Sequence, residues 1–153
     1  MVVIVVAAGG VFLFKEILVL QLGNTDSLQR IHVRIVPPER FSITYLHSIY
    51  GEPVTEEFEA AQDGIVLQGV RTKSSAVREY YRFEEAKEFH RVHVKLGARL
   101  LRVGEGEGQT LKVGDRMIRL TDLGKRGDRI GVSIRSISTG EYLLTKLREV
   151  DSR

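Results

Sequence analysis

Residues Phe41 to Phe58 read FSITYLHSIYGEPVTEEF, two alternating runs either side of a Gly/Pro turn. Side chains on a strand alternate faces. Phe41, Ile43, Tyr45 and His47 therefore share one face of the first run, and Val54, Glu56 and Phe58 share one face of the second. Each apolar face carries one ionisable group, His47 or Glu56. Charge is seldom buried without a partner, so the segment predicts a hairpin and a polar site within its apolar side.

Aligning the apolar faces gives a register. A turn centred between Gly51 and Glu52 pairs Ile43 with Ala60, Tyr45 with Phe58 and His47 with Glu56. Opposed residues sit about 4.5–5.5 Å apart at Cβ, close enough for an imidazole–carboxylate hydrogen bond. Pro53 has no N–H to close a two-residue loop, so the connection is expected to widen to Tyr50–Pro53. The pair has two roles open to it. It pins the register, or it forms a ligand or partner site in which Glu56 orients His47 and Ser48, Tyr50 and Ser74 add polar contacts.

Strand signals continue on both sides: Lys15–Leu22, Leu28–Val36, Val54–Ala60, Ile65–Lys73, Phe89–Leu96, Arg99–Val103, Thr110–Leu120 and Asp128–Ser136. Short strands with frequent turns predict an all-β fold. The expected form is an antiparallel sandwich or partly open barrel of about eight to nine short strands. A short C-terminal helix fits the tail. Ser138 and Glu141 have capping-box spacing, and Leu143, Leu144, Leu147 and Val150 fall on one helical side.

The 153 residues suit one domain, and 42% hydrophobic with 28% charged residues is a soluble globular balance that allows a core. The net charge is +3, and the basic residues are scattered among acids rather than gathered in a stripe, which argues against nucleic acid. The absence of cysteine excludes disulfides and thiol catalysis. Residues 1–14, MVVIVVAAGGVFLF, carry no polar side chain. They are shorter than the roughly 20 residues of a spanning helix, yet fit the apolar part of an export or anchor segment. A buried core strand is the competing reading. The expected division is an apolar export or membrane-anchor segment at 1–14 and one β domain at 15–153.

Other constellations are weaker. His47 and Ser48 are adjacent, so a strand turns them to opposite faces. His90 and His93 are likewise split, and no metal or cofactor is expected. The GEGEG turn would repel phosphate. Tyr80-Tyr81 is either a binding platform or core.

His47-Ser48-Ile49, then Pro53, then Glu56-Glu57-Phe58 resemble the family named domain of unknown function 1850, as does Arg71-Thr72-Lys73-Ser74 against its Arg-x-x-Ser pattern. The resemblance spans about Ile17 to Arg135. The chain departs from it at Tyr50-Gly51-Glu52, where the family commonly has Glu-Lys-Thr, and at Ser75-Ala76-Val77, where a Gly-rich step is common. The tail after Arg135 is an addition. The resemblance implies an extracytoplasmic protein, exported or held at the membrane by its N-terminal segment. It further implies a non-enzymatic accessory role beside TRAP transporters of the TAXI type, with the membrane subunit or the solute-binding protein as partner. Two other functions are weighed against this: a small hydrolase using His47 as base with Glu56 orienting it, and a purely structural interaction module.

Overall fold

A computed structural model describes residues 13–83, 87–104 and 108–151. All but the last two residues of the apolar segment at 1–14 lie outside that range. Ten strands form two antiparallel sheets that stay open rather than closing into a barrel. In chain order they are β1 (Glu16–Asn24), β2 (Arg30–Arg34), β3 (Glu39–Leu46), β4 (Pro53–Ala61), β5 (Gly64–Arg71), β6 (Phe89–Leu96), β7 (Ala98–Arg102), β8 (Thr110–Val113), β9 (Arg116–Arg119) and β10 (Arg129–Ser138). A short helix α1 (Ser75–Tyr80) follows β5, and α2 (Thr139–Asp151) closes the described chain. The smaller sheet runs β2-β1-β10-β7, and the larger runs β6-β5-β4-β3-β8-β9.

The expected all-β sandwich with a C-terminal helix is the observed architecture. The tenth strand comes from the stretch Thr110–Leu120, which is a hairpin rather than one strand. Gly114 takes φ +53°, a left-handed conformation that glycine adopts without steric cost, and Val113 pairs with Arg116 across the turn. The irregular stretch after Lys73 holds α1, capped by Ser74, whose Oγ accepts from the Val77 N–H at 3.4 Å. The Ser138 cap of α2 is also present, its Oγ accepting from the Glu141 N–H at 3.1 Å.

The core lies between the sheets. Leu20 and Leu22 of β1, Ile43 of β3, Phe58 of β4, Ile65 of β5, Leu111 of β8 and Ile130 and Val132 of β10 belong to one buried cluster. These are alternating positions, so period-two burial of apolar side chains stabilises both sheets at once. Consecutive strands change sheets four times, at β2–β3, β6–β7, β7–β8 and β9–β10, and the first two crossings are short. The cis Pro37-Pro38 bond lies between β2 and β3, and the single residue Gly97 separates β6 from β7. The second crossing sets β7 beside β10 while β6 stays beside β5. Helix α2 lies over the outer side of the smaller sheet. There His32 is buried between Gln21, at 3.1 Å, and Thr145 of α2, at 3.3 Å. Burial pushes the His32 imidazole below its ordinary pKa, which favours the neutral ring.

The larger sheet bends at two irregularities, between Glu57 and Phe58 and between Leu67 and Gly69. Gly69 lies under the Phe89 ring, and a Cβ there would press on that ring and sit 2.6 Å from the His90 carbonyl oxygen. Phe89 in turn carries the Arg71 guanidinium 5.0 Å from its centroid, and Arg71 pairs with Glu57 at 2.9 Å. Removing a strand glycine ordinarily gains about 0.5–1 kcal/mol, but overpacking against fixed backbone costs about 1–3 kcal/mol. Gly69→Ala should therefore lower the urea midpoint of unfolding. An unchanged or raised midpoint would show that β6 yields freely at this point.

Candidate functional site

The central hairpin has the expected faces but a different register. Phe41 pairs with Phe58, Ile43 with Glu56, Tyr45 with Val54 and Leu46 with Pro53. The expected pairings of Tyr45 with Phe58 and His47 with Glu56 are not formed. The physical reason is parity. A slide by an even number of residues keeps every apolar side chain on the same face, so face matching cannot distinguish the two registers. The turn and one aromatic contact decide it. Gly51 takes φ +65° and donates its N–H to the His47 carbonyl at 2.8 Å, while the His47 N–H donates to Glu52 at 2.8 Å. This loop turns through Ser48 to Tyr50 rather than Tyr50 to Pro53. Phe41 and Phe58 then stack with centroids 5.0 Å apart.

His47 consequently lies at the mouth of the turn, 5% exposed. It is enclosed by rings: Tyr50 at 5.3 Å, Tyr80 at 4.8 Å and Tyr81 at 5.6 Å. The Ile49 N–H approaches its Nδ1 at 3.4 Å. Tyr80 and Tyr81 arrive on α1 and the turn that ends it. Thr72 holds that segment in place, its Oγ1 donating to the Pro53 carbonyl at 3.1 Å and accepting from the Ser74 N–H at 3.2 Å. Beyond them Phe83 stacks on Tyr81 and on His90. The result is a run of rings along one end of the larger sheet. Tyr80 is 53% exposed, and Ile49, Leu46, Tyr50 and Tyr81 are also exposed. The Tyr80-Tyr81 pair is thus surface rather than core.

Glu56 serves a different partner. Its Oε2 accepts from Arg99 Nε at 2.8 Å and its Oε1 from Arg99 Nη2 at 2.6 Å, while the Tyr45 hydroxyl donates to Oε1 at 3.0 Å. Arg99 belongs to β7 of the smaller sheet, so this forked ion pair joins the two layers. Glu56 is buried at 7% exposure, and Arg99 is partly open to water. The hydrogen bonds from Arg99 to Glu56 raise the arginine's pKa further. Burial, followed by the Glu56 charge and contact with Tyr81, pushes the Tyr45 phenol well above its ordinary value.

The five residues expected to form one site are therefore divided. His47 and Tyr50 are together in the aromatic cluster, and Ser48 is exposed in its turn. Ser74 spends its hydroxyl on capping α1. Glu56 lies on the interior side, bound to Arg99 and Tyr45. The hydrolase arrangement required the carboxylate to orient the imidazole, and both oxygens of that carboxylate are engaged elsewhere. Arg99 and Thr72 are the residues that sequence reasoning missed. Arg99, Leu101 and Val103 alternate, which places an arginine on an apolar face and signals a buried partner. Thr72 gave no comparable signal. Among the described residues no cluster of three His, Asp or Glu side chains is placed to hold a metal ion.

No family model, curated protein or solved structure matches the chain.

Two consequences follow from the Glu56 network. Glu56→Gln leaves the Arg99 charge facing the interior without its counter-ion and should cost about 3 kcal/mol, the low end for breaking a buried pair because Arg99 is partly hydrated. The double variant Glu56→Leu/Arg99→Leu should recover most of that loss in urea unfolding. A double variant as unstable as the single would refute the pair's role as matched charges. The Tyr45 phenol stays protonated in the folded state above the pH near 10 at which an unfolded tyrosine ionises. The unfolded chain then binds fewer protons than the folded one, so stability declines as pH rises past that point. Tyr45→Phe should flatten this alkaline decline in a series of melts, and an identical slope in both proteins would rule out Tyr45 as its source.

Proposed function

We propose that this chain is a non-enzymatic accessory domain, exported or membrane-anchored, that acts beside a TRAP-type transporter of the TAXI class and contacts its partner through the ring cluster around His47. The single observation supporting this reading is that cluster. Exposed aromatic side chains around a rigid, nearly sealed imidazole have the composition of an interaction hot spot, in which Tyr contributes large area at low entropic cost. The cluster forms on the same His47-Ser48-Ile49 and Pro53 turn that carries the resemblance to domain of unknown function 1850. The partner is the transporter's membrane subunit or its solute-binding protein, and the domain works outside the cytoplasm.

Behind this surface, Glu56 and Arg99 hold the hairpin against the opposite sheet, and Thr72 fastens α1 to β4. Both supports limit motion of the rings, which reduces the ordering cost of docking.

The test is co-purification of the tagged full chain with the transporter's membrane subunit and with its solute-binding protein. Wild type should retain one of them. Ile49→Ser/Tyr80→Ala removes two largely exposed side chains, so it should lower the melting temperature only by the lost ring contact on His47 while weakening retention on the order of tenfold or more. Failure of the wild-type chain to retain either protein would reject the proposal.

A further inference from the structure

Helix α2 is turned the wrong way round for a helix lying on a protein core. Surface helices normally bury their apolar stripe. Here Leu143 is 44%, Leu144 59% and Leu147 64% exposed. Toward the sheet the helix offers Thr145, whose hydroxyl meets His32 at 3.3 Å, and Glu149, half-buried and paired with Lys146 at 2.7 Å and Arg116 at 3.8 Å. The apolar side continues past the helix. Leu28 and Met117 are exposed along the groove that Leu144 also lines, and Arg30, Arg116, Arg119 and Arg148 line it with the carboxylates of Asp122 and Glu141. A contiguous apolar surface rimmed by polar groups marks an interaction face.

A second observation bears on this face. The start of α2 is joined to the chain just before β1. The Thr139 N–H and hydroxyl both donate to the Lys15 carbonyl at 2.9 Å, and the Leu13 carbonyl oxygen lies 3.4 Å from where a Gly140 Cβ would be. Phe14 is 82% exposed at this point. The residues that precede Leu13 in the sequence are all apolar. The most apolar stretch of the chain therefore joins the domain at the same pole as the exposed leucines.

We propose that the outer side of α2, through Leu143, Leu144 and Leu147, lies in the interface of a phospholipid membrane, with Arg30 and Arg148 reaching lipid phosphates at its rim. Such a helix lies in the headgroup region with its apolar side inward. Arginine suits the rim because its apolar stem can follow the leucines while its guanidinium binds phosphate. Helix α2 lies on the bilayer and does not cross it, since 13 residues span about 20 Å against a hydrocarbon core near 30 Å. Among the described residues no helix is long and apolar enough to cross. This goes beyond the transporter-accessory reading, because it uses another surface and needs no transporter.

The chain contains no cysteine, so one introduced thiol can be labelled uniquely. The full chain carrying Leu147→Cys is labelled with an environment-sensitive fluorophore and mixed with vesicles of phosphatidylcholine containing a minority of phosphatidylglycerol. The expected result is a blue shift of emission and quenching by lipid-borne spin labels. A label at His93→Cys, on the larger sheet, should show neither. Adding Leu144→Glu should abolish the Leu147→Cys shift even where the protein still floats with the vesicles, and Arg30→Glu/Arg148→Glu should weaken it. Three outcomes would overturn the proposal: no shift with vesicles; emission already blue before vesicles are added and unchanged by dilution, which means the chain covers its own helix; or blue emission that reddens on dilution, which means a second copy covers it. Loss of transporter co-purification would leave this result untouched.

Discussion

Glu56 and Arg99 meet across the interior of the sandwich, one from each sheet, and much of the molecule is arranged so that they can. The contact needs β7 to leave the larger sheet immediately after β6, which Gly97 allows in one residue. It needs the inner face of β4 to present a carboxylate between Val54 and Phe58, which strand periodicity supplies. It also needs a third group for the carboxylate, and the Tyr45 hydroxyl provides it. Two charges inside an apolar layer are tolerated only when their hydrogen-bonding capacity is met, and here both carboxylate oxygens are bound.

That pairing also explains the surface. With Glu56 committed to the opposite sheet, His47 is packed among tyrosine rings instead. The register of the hairpin and the ring cluster are linked consequences. The turn that brings Gly51 back onto the His47 carbonyl sets the imidazole beyond the last strand pair, where α1 can reach it. Thr72 and the Ser74 cap then fix the helix carrying Tyr80. A polar interior pair and an aromatic exterior cluster occupy adjacent positions of one hairpin, and Tyr81 links them, packing on His47 and contacting Tyr45.

The two poles of the molecule differ in kind. At the hairpin end the exposed apolar groups are tyrosines together with Leu46 and Ile49. At the α2 end they are leucines on a helix whose polar side faces the sheet. The leucine spacing in the tail was legible as a helical stripe. Its exposure could not be read from spacing, because periodicity identifies a face and says nothing of what the face meets.

Alternation along the chain by itself determined most of the strands, the inward faces of β3 and β4 and the all-β class, and side-chain spacing determined the Ser138 cap of α2. These are local properties, set by backbone geometry and by side chains within a few residues of one another. The pairing partner of Glu56, the register of its hairpin and the direction in which α2 turns its leucines were decided only by tertiary structure. An even slide of a strand preserves every face, and the partner from β7 lies 43 residues away in sequence. Only the packing of two sheets brings the guanidinium to the carboxylate.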